Sequence, residues 1–366
     1  MALYEDAAPS DSSASMTYYF TYFGLLLAAY LGRGGAEVRQ VLYWSLLIAL
    51  FVFSGFRYEV GCDWSGYLYN FLAPIESYAD AFGRSESGHW SLIHFLHSVG
   101  LPYQYLNVAT SAMFFLGLHV LARRQPDPLA FLALAFPILI INMPMSAIRQ
   151  GAAIGFMCLA FSAFIDRRLV AYIVWILVGS LFHASILAFL VFAPFILGRF
   201  NIRNSITAAL LAIPGAFGLL QTEAAQVAEQ RYLMREVDAA GAAFRLGILS
   251  LTGLFFFWKI APAWRRDFPY DYKLAAFGSW LMVAFFGLFF VSTVIGDRFG
   301  YYLIPIQLMI FSRIPYLVSL RNRQILAVAP YAGLTLVFVV WTQLSWHFNQ
   351  CYIPYDIRFG APVGLG

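Results

Sequence analysis

Long apolar runs recur along the whole chain, and short loops rich in arginine separate them. A helix that crosses a bilayer needs about 20 residues of this character. Charged residues make up 11% of the 366 positions, against roughly 25% in soluble proteins. The pattern therefore predicts an all-α polytopic membrane protein.

Hydropathy predicts about twelve membrane-spanning helices, several of them shorter than a full span. They are expected at 17–31, 40–56, 103–122, 129–142, 147–165, 169–182, 184–198, 205–220, 244–260, 274–295, 299–312 and 325–343. No linker or repeat divides the sequence, so residues 1–366 are expected to form a single membrane domain.

The basic residues predict the orientation, because they fall in alternate loops and cytoplasmic loops carry the excess of arginine and lysine. The loops concerned contain Arg33 and Arg39, Arg123 and Arg124, Arg167 and Arg168, Arg199 and Arg203, Lys259 to Lys273, and Arg313 to Arg323. Both termini then lie outside, together with the tail 1–16 and the two larger loops 57–102 and 221–243. In that topology Cys62 and Cys351 lie in outer loops, where a disulfide can form.

Several predicted hairpins are too short to reach the outer interface. About thirty uncharged residues lie between Arg168 and Arg199, too few for two full spans, so the turn 181–185 should be recessed. The helices around the turn 142–146, and the helix after Asp297-Arg298, are also too short for full spans. Non-helical backbone at membrane depth is tolerated only where protein buries it or water reaches it. These turns predict short helices around an outward-facing polar cavity.

Polar residues are densest directly after the second apolar run, where Arg57, Glu59 and Asp63 lie among aromatic residues. An interfacial anchor of arginine and aromatic side chains is the alternative interpretation. Anchoring does not require two nearby carboxylates, so a functional site is favoured.

Three further positions interrupt apolar helices. Arg149 opens a helix, where free amides and the helix dipole favour phosphate; a snorkelling arginine is the alternative. His183, in the recessed turn, could act as a base or a phosphate donor, or serve only in packing. Asp297-Arg298 begins another helix, with a local ion pair or charge pairing at the helix end as the alternative. Gly151 and Gly155 have the GxxxG spacing of close helix packing.

Arg57, Arg149 and Arg298 are all predicted on the outer side. Guanidinium groups bind phosphate in a bidentate manner and stay charged when partly desolvated, which suits a diphosphate leaving group. Glu86, His89, His94 and His97 could suggest a metal, but the histidines also fit one face of a surface helix. We therefore predict no metal, no cofactor and no nucleic-acid partner.

The run from Phe56 to Trp64, followed by Tyr67, resembles the first motif of the EpsG family, which is related to the Wzy-type polymerases of exopolysaccharide and O-antigen assembly. The resemblance extends from about residue 40 to 356. Further similar motifs occur in the same order: Glu86-Ser87-Gly88, Arg149-Gln150, His183, Asp297-Arg298 with Tyr301, and Pro354-Tyr355.

The resemblance implies an inner-membrane polymerase with a GT-C-like fold and an active site that faces the periplasm. Its substrate would be an oligosaccharide linked to undecaprenyl diphosphate, in contact with membrane lipid, and a chain-length regulator is a candidate partner. A flippase and an O-antigen ligase are the alternative functions.

On this hypothesis the arginines bind the diphosphate, and the catalytic base is Glu59, Asp63 or His183. The expected substrate-binding residues are Arg57, Arg149, Arg298, Tyr67, Glu86, Asp297, Tyr301 and Tyr355.

Overall fold

The computed structural model describes residues 12–198, 201–221, 236–290 and 292–359, which are almost entirely helical. Helices α1 to α9 span Ser12–Leu31, Ala36–Gly55, Trp64–Leu72, Tyr78–Gly83, Ser87–Ser98, Gln104–Ala122, Pro128–Ala135, Ile148–Ile165 and Leu169–Ser180. Helices α10 to α17 span Ala193–Leu197, Ile202–Gln221, Glu236–Phe255, Ala261–Asp267, Tyr272–Phe289, Thr293–Arg313, Arg323–Leu344 and Trp346–Cys351. Turns of 3-10 helix cover Gly32–Gly34, Ala184–Phe192 and Ile314–Tyr316, and π-helical turns at Phe136–Ile140 and Phe256–Ile260 extend α7 and α12.

The predicted apolar runs coincide with helix apart from a few residues at their ends, with one exception. The run 274–295 is interrupted, because α14 ends at Phe289 and α15 begins at Thr293, so Asp297-Arg298 lies within the second turn of α15 and does not begin it. Six helices of the described residues are long and apolar enough to cross a membrane: Ala36–Gly55, Gln104–Ala122, Ile148–Ile165, Gly241–Asp267, Tyr272–Phe289 and Arg323–Leu344. The protein is therefore an all-α membrane protein, and the number of twelve spans stays a prediction. Residues 1–11 of the predicted tail and 222–235 of the predicted loop lie outside the described residues.

Helix α8 forms the centre of the fold, and close helix packing sets its position. A Cβ atom on Gly117 of α6 would lie 1.9 Å from the carbonyl oxygen of Gly155, and one on Gly155 would lie 2.3 Å from the carbonyl oxygen of Met113. Gly155 thus has the close-packing role predicted from its spacing. Gly151 instead faces the 142–146 turn, where its Cβ would lie 3.0 Å from the carbonyl carbon of Met143.

The two ends of the bundle carry different polar groups. At one end Arg124 forms a two-pronged pair with Asp166 just beyond α8, and Arg313 at the end of α15 pairs with Asp271. Arg149 and Arg298 lie at the opposite ends of the same two helices. The helices therefore separate the predicted functional residues from the arginine-rich loops.

The loop after α2 is attached to the carboxyl-terminal segment. Cys62 and Cys351 form a disulfide, as the sequence allowed, and the amide of Gly61 donates to the carbonyl of Cys351 at 2.6 Å. Strand β1 (Arg57–Tyr58) pairs antiparallel with β2 (Asp356–Ile357), so that Arg57 lies opposite Ile357. A chain segment nearly 300 residues away in sequence thus fixes this loop.

Candidate functional site

Glu86 is the centre of a polar cluster contributed by three segments of the chain. It precedes α5, is only 8% exposed and has the left-handed backbone conformation, with φ 59° and ψ 49°. Its Oε1 atom lies 2.5 Å from Nδ1 of His183, and its Oε2 atom accepts a hydrogen bond from Nη1 of Arg149 at 2.5 Å. A residue other than glycine in this conformation costs of order 1 kcal/mol, which indicates that surrounding contacts hold it there.

The contact between α5 and the 181–183 turn brings Glu86 and His183 together. The amides of Gly88 and His89 both donate to the carbonyl of Leu181, at 2.9 and 3.2 Å. A Cβ atom on Gly88 would lie 2.7 Å from the Cβ of Leu181, so the approach depends on glycine. The Glu86-Ser87-Gly88 motif therefore combines a carboxylate with the small residue that lets it reach its partners.

The charge of Glu86 follows from its neighbours. Burial by itself raises the pKa of this carboxyl group, but His183 and Arg149 outweigh burial and lower it from 4.5 to about 2. Glu86 is thus a carboxylate at neutral pH. It can orient the His183 ring through Nδ1, so that Nε2 is available for another partner. Carboxylates position catalytic histidines in this way.

Arg149 extends from the first turn of α8 and lies above the ring of Tyr67, with 5.5 Å between Cζ and the ring centre. Burial raises the pKa of the Tyr67 phenol, and Arg149 opposes that shift. Asp63 is exposed beside the cluster, where Ser146 Oγ lies 3.5 Å from its carboxylate. Arg149 and Asp63 also interact electrostatically, so the two are close in space.

His89 lies behind the cluster and is fully buried, with its ring edge-on to Tyr67 at 5.8 Å. Burial and the nearby Arg149 lower its pKa to about 3, so it is neutral at physiological pH. Across the described ranges, no three His, Cys, Asp or Glu side chains are grouped so that they could hold a metal ion.

The first turns of α15 contribute Arg298. The Asp297 carboxylate accepts two hydrogen bonds from Arg245 of α12, at 2.9 and 2.7 Å. Asp297 is therefore engaged in an ion pair, but with Arg245 and not with the adjacent Arg298. The carbonyl of Arg298 accepts a hydrogen bond from the Gln150 side chain at 2.6 Å, and its guanidinium has no carboxylate partner within the described part of the chain.

Tyr302, one turn after Arg298, connects this end of α15 to the cluster. Its hydroxyl lies 3.0 Å from Ser185 Oγ, and it interacts electrostatically with both Glu86 and Arg298. Arg298 therefore faces the Glu86 side of the bundle.

Three of the predicted site residues have other contacts. Arg57 is 1% exposed and donates to three backbone carbonyls, those of Ser54, Val60 and Met145, and to the Asn107 side chain. The guanidinium of Arg57 is therefore occupied by these bonds, which hold the loop after α2 to the 142–146 turn.

Glu59 is exposed, with φ 54°, and interacts with Tyr58. Tyr355 donates to the carbonyl of Phe53 at 2.7 Å and stacks on the Phe53 ring. The partners are thus Tyr58 for Glu59 and Phe53 of α2 for Tyr355.

Arg245 was not identified from the sequence as a functional residue. It interrupts the start of an apolar run, which is the same signal that identified Arg149, so the pattern could have revealed it. Gln150 was noted only for its place in a motif, and an uncharged side chain gives no sign of a contact 148 residues away.

Comparison with known proteins gives one result. No curated protein and no solved structure matches the chain. The EpsG family profile matches residues 40–357, a range that contains the whole Glu86 cluster, Arg245 and Arg298. The chain therefore belongs to the EpsG family, a family of Wzy-type polysaccharide polymerases.

Proposed function

We propose that this protein joins oligosaccharide repeat units that are linked to undecaprenyl diphosphate, at the periplasmic face of the inner membrane. Membership of the EpsG family supports polysaccharide polymerisation in general. The observation that carries the finer proposal is the contact of Glu86 with both Arg149 and His183 at the same end of the bundle as Arg298. Glycosyl transfer from a diphosphate needs a base and cationic groups in one place.

Two independent observations support the periplasmic orientation. The cluster lies at the end of the bundle opposite the arginine-rich loops, which are cytoplasmic under the positive-inside rule. The Cys62–Cys351 disulfide lies at the cluster's end, next to Asp63, and disulfides persist in the oxidising periplasm rather than in the cytoplasm. Both support a periplasmic site.

Arg298 is our first candidate for the diphosphate, because no carboxylate among the described residues neutralises it. Arg149 is the second, although Glu86 takes part of its hydrogen-bonding capacity. Asp297 is engaged by Arg245, and we leave it out of the ligand contacts. Arg57 is left out too, because the backbone carbonyls bind its guanidinium.

The proposed reaction is block transfer. A hydroxyl oxygen of the acceptor repeat unit attacks the anomeric carbon of the donor, and a new glycosidic bond forms. The bond from that carbon to the diphosphate oxygen breaks, and undecaprenyl diphosphate leaves with the electron pair. The hydroxyl proton passes to a base, for which we favour Nε2 of His183, because Glu86 holds its Nδ1 and so fixes the orientation of the ring.

A deletion strain tests the overall function through the fate of its lipid-linked repeat units. We expect single units that reach the periplasm and are never lengthened. Units retained on the cytoplasmic face would instead indicate a flippase. Long polymer that is made but not transferred to its final acceptor would indicate a ligase.

Single substitutions test the site. Arg149→Ala and Arg298→Ala should each lower chain extension at least about 100-fold, the usual cost of losing a group that stabilises a leaving anion. Arg84→Ala is the matched control. Arg84 also lies over an aromatic ring, 4.7 Å from the centre of Trp90, and forms a two-pronged pair, with Asp80. Wild-type polymer length in both site variants, at normal abundance, would rule out the assignment.

A further inference from the structure

We propose that Arg245 is a positioning residue that binds Asp297 and thereby prevents this carboxylate from neutralising the adjacent Arg298. The inference rests on the proposed function, because it concerns how Arg298 meets the lipid-linked diphosphate. Arg245 itself is not assigned to the ligand.

Helix α15 presents two faces at this end. Residues four apart lie on the same face of a helix, so Asp297 groups with Tyr301 and Arg298 groups with Tyr302. The first face contacts Arg245, whose guanidinium carbon lies 5.3 Å from the centre of the Tyr301 ring. The second face contacts Ser185 through Tyr302 and interacts with Glu86. Adjacent residues of opposite charge are thus directed to different neighbours.

Close packing brings Arg245 within reach of Asp297. The next residue of α12, Leu246, packs against two glycines of α15. A Cβ atom on Gly296 or Gly300 would lie 3.1 or 2.8 Å from the Leu246 side chain. Larger residues would hold α12 further away, so these glycines permit the contact between Arg245 and Asp297.

The backbone of Arg298 is held from a second side as well. Gln150 of α8 donates to the Arg298 carbonyl at 2.6 Å and is itself next to Arg149 in sequence. The turn that carries Arg298 is therefore attached to α8 by Gln150 and to α12 by the Arg245–Asp297 pair. Because the turn is held in place, the positive charge that Arg298 offers to a ligand depends on whether Asp297 is paired with Arg245.

The consequence is electrostatic. The side chains of Asp297 and Arg245 are only 13% and 22% exposed, so water compensates poorly for a lost partner. If Arg245 were removed, the Asp297 carboxylate would carry an uncompensated negative charge one residue from Arg298. That charge would offset the positive charge of Arg298, which would then attract an anionic donor less strongly.

The experiment compares the two ways of breaking the same pair. The substrate is lipid-linked repeat unit extracted from the deletion strain, and KM and kcat are measured in membranes. Arg245→Ala should raise KM for the donor about tenfold, the effect of a change near 1.4 kcal/mol. Asp297→Asn should stay within about threefold of wild type, because no carboxylate is released. The double variant should recover to the same range.

Equal losses in Arg245→Ala and Asp297→Asn, with no recovery in the double variant, would show a purely structural pair and overturn the inference. Arg245→Gln removes the charge but keeps much of the stem over Tyr301, so it replaces Arg245→Ala if that variant does not accumulate. Arg84→Ala, which breaks the Arg84–Asp80 pair elsewhere on the outer segment, should match wild type.

Arg298→Ala separates this inference from the proposed function. If Arg298→Ala keeps wild-type KM and kcat, the proposed role of Arg298 fails, and this inference fails with it. If Arg298→Ala loses activity while Arg245→Ala does not, only the inference about Arg245 is overturned.

Discussion

At the scale of single residues, Glu86 is the group whose charge the fold depends on most directly. Its pKa is lowered from 4.5 to about 2, so its charged form stabilises the native state. That contribution is complete above about pH 4.5 and is lost as the pH falls towards about 2. Glu86→Gln should lower stability by roughly 3 kcal/mol at neutral pH, because Arg149 loses its partner.

The measurement is the thermal unfolding midpoint of the detergent-purified protein between pH 2 and 8. The difference between wild type and Glu86→Gln should shrink as the pH falls from about 4.5 towards about 2. A difference that stayed unchanged across that range would assign the titration to another group.

Three substitutions distinguish the candidate bases. His183→Ala should lower kcat by about 100-fold or more, as expected for loss of a general base. Asp63→Asn and Glu59→Gln should have smaller effects, because both residues are exposed to solvent, whereas the His183 ring is held by Glu86. The measurement is chain extension at saturating donor. A loss confined to Asp63→Asn would transfer the role of base to Asp63.

Individual residues could be predicted where they stand alone in the sequence. Arg149 and His183 each interrupt a long uncharged stretch, and that isolation identified both. Glu86 was expected among the substrate-binding residues, but its pairing with both could not be predicted. It lies 63 and 97 residues away from them, and pairing across a helical bundle leaves no periodic signal. For the same reason Arg57 resembled a ligand-binding residue, although its partners are three backbone carbonyls and the Asn107 side chain.

At the scale of elements, Gly61 determines how the loop after α2 packs against the 142–146 turn. Its φ is +106°, and a Cβ atom would lie 2.0 Å from the carbonyl oxygen of Met145. Because that atom belongs to the backbone, it cannot move aside easily. Gly61→Ala should therefore displace the loop, with loss of chain extension and a lower unfolding midpoint.

Gly66→Ala is the matched control for Gly61→Ala. Gly66 lies five residues further along, within α3, and nothing lies within 4 Å of a Cβ atom built there. Alanine favours helix by up to about 1 kcal/mol over glycine, so this variant should be neutral or slightly stabilised. Equal effects of the two substitutions would contradict the proposed contact.

The positions of the helices were predictable, because apolar length determines them and does not depend on long-range contacts. Their internal irregularities were not. The run 184–198 is largely 3-10 helix, and α7 and α12 continue through π-helical turns. These irregular turns depend on how each helix packs against its neighbours, and hydropathy contains no information on that packing.

At the scale of the whole molecule, the fold connects segments that are distant in sequence around one end of the bundle. The disulfide, the β1–β2 pair and the bond from the Tyr18 hydroxyl to the Tyr352 carbonyl attach the carboxyl-terminal segment to the first two helices and their loop. Asp63 follows Cys62 directly. The position of the loop beside the Arg149–Glu86 pair therefore depends on the last described segment of the chain.

The disulfide also makes the orientation testable. Without prior reduction, Cys62 and Cys351 should resist a maleimide reagent, and Cys158 should react only after unfolding because it is buried. Cys62→Ser, Cys351→Ser and the double variant should lower the unfolding midpoint by the same amount, since each removes the same bond, worth about 2 to 5 kcal/mol. Cells that lack periplasmic disulfide formation should yield wild-type protein with both thiols reactive. If both thiols were already reactive in protein from wild-type cells, this end of the bundle, and the proposed polymerisation site with it, would lie at the reducing cytoplasmic face.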